Sequence, residues 1–269
     1  MKSNISNKWL VLKHGVEKYL IKNFDMFVPS SSGHHKLIGK HTERSINLTF
    51  PLIYDLLLSQ KIISPKLKKI PHLFRSINDK NVKKLESLFK KYGSDKSSSH
   101  NYHKIYGALF KNKKKVKKIL EIGLGTNNIN IPSNMGIKGK PGASVRAFRD
   151  FFDNAMIFGA DIDRKILFRE NRIKTFYLDQ TKIKYLNQFF KKNGKFDLIV
   201  DDGLHVPYAN INVLISSLNY VSDQGWIIVE DIPYKARPIW EVVSFILSKK
   251  YHNYLIKTKN SLIFLVKRK

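Results

Sequence analysis

From residue 116 onward the chain repeats one pattern: a short apolar run closed by acidic residues or glycine, then a stretch with helical spacing. The runs are VKKILEI (116–122), AMIFGAD (155–161), IKTFYLD (173–179), FDLIVDD (196–202) and GWIIVED (225–231). Helical spacing fills 143–153, 181–192 and 208–220, and a helix near 238–249 leads to a terminal strand pair at 251–257 and 261–267. Runs this short between helices read as strands, and strands alternating with helices build parallel βαβ units. The expected fold class is therefore α/β: a Rossmann-like, doubly wound, mostly parallel sheet of seven strands. Ligands of such sheets bind at the carboxyl ends of the strands, which is where the acidic residues fall.

Residues 1–90 are less regular. Helical character is expected in 5–24, a polar turn at SSSGHHK (30–36) and an apolar helix near 48–63, with Pro65 and Pro71 breaking the segment after that helix. A helix at 80–91 places Val82, Leu85, Leu88 and Phe89 on one face and ends at Gly93. The expected division is a helical N-terminal extension, 1–90, serving substrate or homo-oligomer contacts, and a Rossmann-like domain, 91–269.

The chain of 269 residues has no cysteine, which removes disulfides, thiolate metal sites and cysteine nucleophiles together. The stretch MKSNISNKWLVLKHGVEKYLIKNF has no apolar leader core, and no run approaches the ~20 apolar residues of a membrane span. The expectation is a cytoplasmic protein without a membrane span. The net charge of +28 raises nucleic acid as a partner. The lysines are scattered along the chain, however, with KNKKKVKK at 111–118 the one cluster, so a solvated basic surface is favoured over a nucleic-acid footprint.

The first strand ends in Glu121-Ile122-Gly123-Leu124-Gly125. Glycine permits a sharp turn and a close approach of ligand to main chain. The dinucleotide pattern G-x-G-x-x-G is absent because its third glycine is missing, which argues against a nicotinamide oxidoreductase. The second strand ends in Asp161-Ile162-Asp163, where a carboxylate can accept from ribose hydroxyls. The third ends in Asp179-Gln180, beside the place for an adenine edge. Asp201 is counted with these cofactor contacts. The insert TNNINIPSNMGIKGKPG (126–142) is long for a connection in a compact domain and is expected to border the cofactor.

Strand four ends in Asp201-Asp202-Gly203-Leu204-His205 and strand five in Glu230-Asp231. Crowded carboxylates repel unless a cation or a shared proton offsets them. Oxygen ligands suit a hard divalent ion such as Mg²⁺, with Asp202, Glu230 and Asp231 as its ligands. His205 is the expected general base, with Asp202 beside it in the catalytic pair. Asp231-Ile232-Pro233-Tyr234 is similar to the D-P-P-Y motif of amino-directed DNA methyltransferases, but it comes after strand five rather than strand four and lacks the first proline.

The blocks YGSDKSSSHNYHKIYGALF (92–110), ILEIGLG (119–125), GASVRAFRDFF (142–152), GADIDRKILF (159–168), DDGLH (201–205) and GWIIVEDI (225–232) resemble a group of class I methyltransferases that includes the macrocin and mycinamicin sugar O-methyltransferases and the cephalosporin-hydroxylase-like proteins. That resemblance implies S-adenosylmethionine as cofactor, bound by Glu121, Gly123, Asp161 and Asp179. It also implies magnesium on Asp202, Glu230 and Asp231, and His205 as base. Gly93-Ser94-Asp95-Lys96 through His100 and Tyr102 match a segment that closes over the active site. Leu204 stands where the group has a serine, the 126–142 loop is longer than in the macrolide enzymes, and residues 1–90 do not match their auxiliary domain. The leading expectation is a Mg²⁺-assisted O-methyltransferase acting on a sugar or other hydroxylated small molecule. An RNA- or DNA-directed methyltransferase and a non-catalytic scaffold are the alternatives.

Overall fold

The computed structural model describes residues 15–30, 35–63, 67–69, 80–110 and 112–269. The chain divides into two compact units, 1–64 and 65–269. In the first, residues 15–23 are helical and α1 spans His35–Ser59. The helix anticipated near 48–63 thus starts earlier and stops sooner, and it runs through Pro51. Its hydroxyl residues turn back on the helix, Thr42 donating to the Ile38 carbonyl and Thr49 to that of Ser45. The expected helical residues 5–14, most of the polar turn (31–34) and both Pro65 and Pro71 lie outside the described residues.

The second unit is a sheet sandwiched by helices. Its strands are β1 Lys68–Lys69, β2 Lys118–Ile122, β3 Met156–Asp161, β4 Arg169–Glu170, β5 Ile173–Tyr177, β6 Phe196–Asp201, β7 Val221–Ile232, β8 Tyr251–Lys257 and β9 Leu262–Arg268. They lie in the order β1-β8-β9-β7-β6-β2-β3-β5-β4. The expectation of seven strands is corrected to nine among the described residues: β1 and β4 are two-residue strands at the two edges, too short to leave an apolar run in the sequence. Pairing is parallel from β7 through β6, β2 and β3 to β5, and antiparallel where β9 joins β7 and β8 and where β4 joins β5.

Alternation along each strand separates two cores. Ile119, Leu198, Val200 and Ile228 face one way, toward α2 (Lys80–Tyr92), α3 (Tyr102–Leu109) and α4 (Ala143–Phe151). Leu120, Ile199, Ile227 and Val229 face the other way, toward α5 (Ile183–Asn193), α6 (Pro207–Ser217) and α7 (Arg237–Leu247). The amphipathic helix α2 buries Val82, Leu85 and Phe89, so residues 80–92 belong to the sheet domain's core. The short helix α3 crosses it closely: a Cβ at Gly107 would lie 2.7 Å from the Val82 Cα. Its eight residues are buried on most sides, which leaves no amphipathic stripe to read.

The chain leaves β2 toward β3 and β5 on one side and returns through β6 and β7 on the other. This reversal opens a crevice at the carboxyl ends of β2 and β6, the place where doubly wound sheets take their ligands.

Candidate active site

Two adjoining cavities occupy that crevice, of about 360 and 460 Å³. Gly123, Gly125, Ser133 and Asp202 line both. The turn after β2 requires its glycines. Gly123 sits at φ 96°, and a Cβ there would lie 2.0 Å from the Asp202 carbonyl oxygen.

The first cavity is also lined by Asp161, Asp179 and Gln180, three residues expected to meet a cofactor. Asp161 Oδ2 accepts the Leu124 N–H at 2.7 Å and Oδ1 accepts that of Asp163 at 2.8 Å, so this carboxylate fixes the glycine turn. Burial pushes its pKa up against those donors. Asp179 accepts the Thr181 backbone N–H and hydroxyl. Gln180 Oε1 accepts the Leu204 N–H at 3.2 Å, while its buried Nε2 has no partner. Two glycines that open the main chain and an orphan amide donor suit an adenosine group. The long loop contributes Ile131, Pro132 and Ser133, and the Ser133 hydroxyl donates to the Leu204 carbonyl at 3.0 Å. The loop 126–142, expected to border a cofactor, thus lines this cavity.

The second cavity contains Asp202, His205 and Asp231, whose donor atoms lie within 4.8 Å of one another. Two of the three have left-handed backbone, His205 at φ 56° and Asp231 at φ 50°. Such angles are costly for residues other than glycine and persist where the surroundings enforce them. At Asp231 the cause is visible: the β7–β9 register shifts between Val229 and Ile232. This bulge re-aims the Asp231 side chain to the side that Glu230 already faces.

The sheet register places the remaining acids. Ile122 pairs with Asp201 and Asp201 with Val229, which brings the strand tips level. Glu121, Asp202 and Glu230 continue the face of Ile119, Val200 and Ile228. Asp201 continues the opposite face and does not line the cofactor cavity as expected. It is buried beneath α6, accepting from Asn210 Nδ2 at 2.9 Å, and burial pushes its pKa up to about 6. Glu121 does not line that cavity either. Its Oε2 accepts from the Ser144 hydroxyl at 2.8 Å, and burial raises its pKa.

Glu230, expected among the metal ligands, clusters with Glu121 and Asp202, their donor atoms within 4.8 Å of one another. Its Oε1 accepts from the Tyr106 hydroxyl at 2.7 Å, and its Oε2 is paired with Lys96. The Lys96 ammonium also meets Asp202 Oδ2 at 2.7 Å and Glu121 Oε1 at 3.2 Å, with its side chain 3% exposed. Burial works against that charge, but three carboxylates outweigh it and hold the lysine protonated. Asp231 is held separately. Tyr102 donates its hydroxyl to Oδ1 at 2.6 Å and accepts the Asp231 N–H at 3.1 Å, while His100 Nδ1 lies 2.9 Å from Oδ1. Burial disfavours charge on His100, yet Asp231 and Asp95 draw its pKa up to about 10. Burial also opposes the charge on Asp231, and the donors His100 and Tyr102 prevail and lower its pKa.

Sequence reasoning found the acids without their partners. Lys96, His100 and Tyr102 were visible only inside a resembling block, and the functional place of Tyr106 was missed. The run GSDKSSSH has no periodicity, so nothing local marks Lys96 for burial.

No family model matches the chain. Among curated proteins it is similar to 8-demethyl-8-alpha-L-rhamnosyl tetracenomycin-C 2'-O-methyltransferase of Streptomyces olivaceus, 25% identical over 169 residues that cover 62% of this chain and 43% of that protein. Mycinamicin VI 2''-O-methyltransferase of Micromonospora griseorubida is 31% identical over 118 residues, 43% of this chain and 27% of that protein. Demethylmacrocin O-methyltransferase of Streptomyces fradiae is 31% identical over 91 residues, 34% and 23% of the two chains. The matched stretches span less than half the length of these relatives. Among solved structures, the MycE methyltransferase of the mycinamycin pathway, in complex with Mg and SAH, superposes with a TM-score of 0.56 at 20% identity over 69% of this chain and 54% of that one.

The fold is the methyltransferase fold. The resemblance to the macrocin and mycinamicin enzymes read from the motif blocks agrees with these relatives. Among the described residues, no helix of this methyltransferase fold is long and apolar enough to cross a membrane.

Proposed function

We propose that this chain is an S-adenosylmethionine-dependent O-methyltransferase, assisted by Mg²⁺, that acts on a hydroxyl of a sugar or similar small molecule. The observation that carries the reading is that the Asp202–His205–Asp231 cluster opens into a cavity sharing Gly123, Gly125 and Asp202 with the cofactor cavity. Relatives that methylate sugars, and a MycE structure holding Mg and SAH, support it.

The residues divide the work. The glycine turn at 123–125, Asp161, Asp179 and Gln180 hold the adenosine portion, with Gln180 Nε2 the free donor for its base. S-adenosylmethionine supplies a methyl group on a sulfonium, a leaving group that departs neutral. His205 faces the acceptor cavity, where its imidazole would take the hydroxyl proton of an acceptor, and the bound sulfonium would supply the methyl group and leave as a neutral thioether. Asp202, Glu230 and Asp231 are the hard oxygen donors that would hold a divalent ion, and the charge of Asp202 and Asp231 orients acceptor hydroxyls toward His205. An ion held there lowers the cost of removing the hydroxyl proton. The role expected of 1–90, substrate or homo-oligomer contacts, is carried in this reading by the part outside the sheet domain, 1–64, supported by Leu48, Leu52, Ile53 and Leu56, which are exposed along α1.

Isothermal titration with S-adenosylhomocysteine tests the cofactor half: micromolar binding is expected, and no heat at high micromolar ligand overturns it. Activity that survives exhaustive chelation while Asp202→Ala abolishes it removes the metal and leaves the enzyme.

A further inference from the structure

The acids at the strand tips form two groups that share Asp202. The outer group is Asp202, His205 and Asp231; the inner group is Glu121, Asp202 and Glu230; in each, the donor atoms lie within 4.8 Å of one another. Both groups therefore have the spacing of a cation site. The outer one faces the acceptor cavity. The inner one already has its cation, because the Lys96 ammonium contacts all three of its carboxylates.

The lysine arrives from a different part of the fold. It sits in the turn between α2 and α3, 106 residues before Asp202 and 134 before Glu230. The turn is pinned at both ends: the Ser94 N–H donates to the Phe89 carbonyl at the end of α2, and the Tyr102 N–H donates to the Lys96 carbonyl. Tyr106 and Ser144 take the remaining oxygens of Glu230 and Glu121. Of the inner group's carboxylate oxygens, Glu121 Oε1 has only its ion pair with Lys96, and Asp202 Oδ1 has no near partner, its nearest cationic group being His205 Nε2 at 4.0 Å. Asp202 and Glu230 cannot place those same inner oxygens on a divalent ion while Lys96 holds them.

We infer that Lys96 is a tethered cation that competes with the divalent ion for Asp202 and Glu230. It fills the inner group in the metal-free protein and withdraws when the ion takes Glu230. The proposal rests on the divalent-ion part of the reading above. A lysine in this role serves two ends. It neutralises buried acids that would otherwise repel one another when no ion is bound. It also sets the ion's affinity, since each binding event must release the ammonium. Lys96 is a positioning residue in this account and does not touch the reacting atoms.

Mn²⁺ binding to full-length wild type, Lys96→Met and Lys96→Arg tests it, read by the loss of the free-ion paramagnetic resonance signal. S-adenosylhomocysteine titration of the same samples scores the methyltransferase reading separately. Lys96→Met is expected to bind Mn²⁺ at least tenfold more tightly than wild type, and Lys96→Arg, which keeps the charge, no more tightly than wild type. If Lys96→Met does not fold alone, Mn²⁺ or Mg²⁺ must restore a cooperative melt, because the ion then replaces the missing ammonium. Unchanged or weaker Mn²⁺ binding by Lys96→Met, an unfolded variant that neither ion rescues, or no Mn²⁺ binding by any of the three proteins overturns the proposal. In that last case intact S-adenosylhomocysteine binding leaves the cofactor assignment standing.

Discussion

The two halves of the crevice hold their carboxylates in different ways. On the cofactor side, Asp161 and Asp179 are satisfied by backbone N–H groups close at hand: Leu124 and Asp163 for the first, Thr181 for the second. On the reactive side, Asp202, Glu230 and Asp231 are satisfied mainly by side chains of one distant segment, through Lys96, His100, Tyr102 and Tyr106, with Ser261 adding a hydrogen bond to Asp231. A carboxylate held by backbone amides of its own or the adjoining strand turn forms with the sheet. A carboxylate held by a remote ammonium or phenol depends on the docking of another element. The cofactor half is thus a property of the sheet, whereas the reactive half is a property of the contact between the sheet and residues 93–106.

The sharpest way to separate the halves is at His205. His205→Ala should lower methyl transfer by about 10²–10⁴-fold, the usual contribution of a general base, and leave S-adenosylhomocysteine affinity unchanged. A parallel loss of cofactor affinity in the titration would show that the halves are not independent. Gly123→Ala should damage both at once, since its Cβ would strike the Asp202 carbonyl and its φ is positive. A loss of about 1–3 kcal/mol is expected from the backbone strain alone, read by thermal melts. Weaker binding of both cofactor product and Mn²⁺ should accompany it.

Smaller effects probe each half alone. Asp161→Asn exchanges one acceptor for a donor facing an N–H and should cost about 1–3 kcal/mol, seen in cofactor affinity. Tyr102→Phe removes one hydrogen bond to Asp231, worth about 0.5–1.5 kcal/mol, and should be seen in Mn²⁺ affinity. Crossed outcomes would break the division. The mildest test concerns Asp201, which serves neither half. Its pKa is raised from 3.8 to about 6, so the folded state holds its proton more tightly than the unfolded chain. Its stability contribution is therefore greatest below pH 3.8 and falls as pH rises toward about 6. Melts of Asp201→Asn should gain on wild type across that window and stay level above it.

This division also marks what the sequence could show. The strand ends and the glycine turn were legible because the information is local: apolar runs, period-two alternation and glycine at the turn. The bulge that turns Asp231 was not legible. It arises from the pairing of β7 with β9, and β9 begins thirty residues later along the chain than the bulge, by its register partner Leu262 opposite Ile232. Lys96 was hidden for the same reason. Its burial is decided by three carboxylates at the ends of three strands, and no neighbouring residue reports them. The edge strands β1 and β4 left no trace because two paired residues carry no pattern.

The separation between Lys96 and its partners has a consequence for the protein as it is made. The lysine precedes Glu230 by 134 residues. At roughly 5–20 residues per second, translation leaves the ammonium waiting about 7–27 s for that carboxylate. The scaffold of β2, β3 and β5 is complete within this interval, before the reactive centre can exist. A nascent chain released early would carry an assembled cofactor turn and a lysine with no acid to receive it.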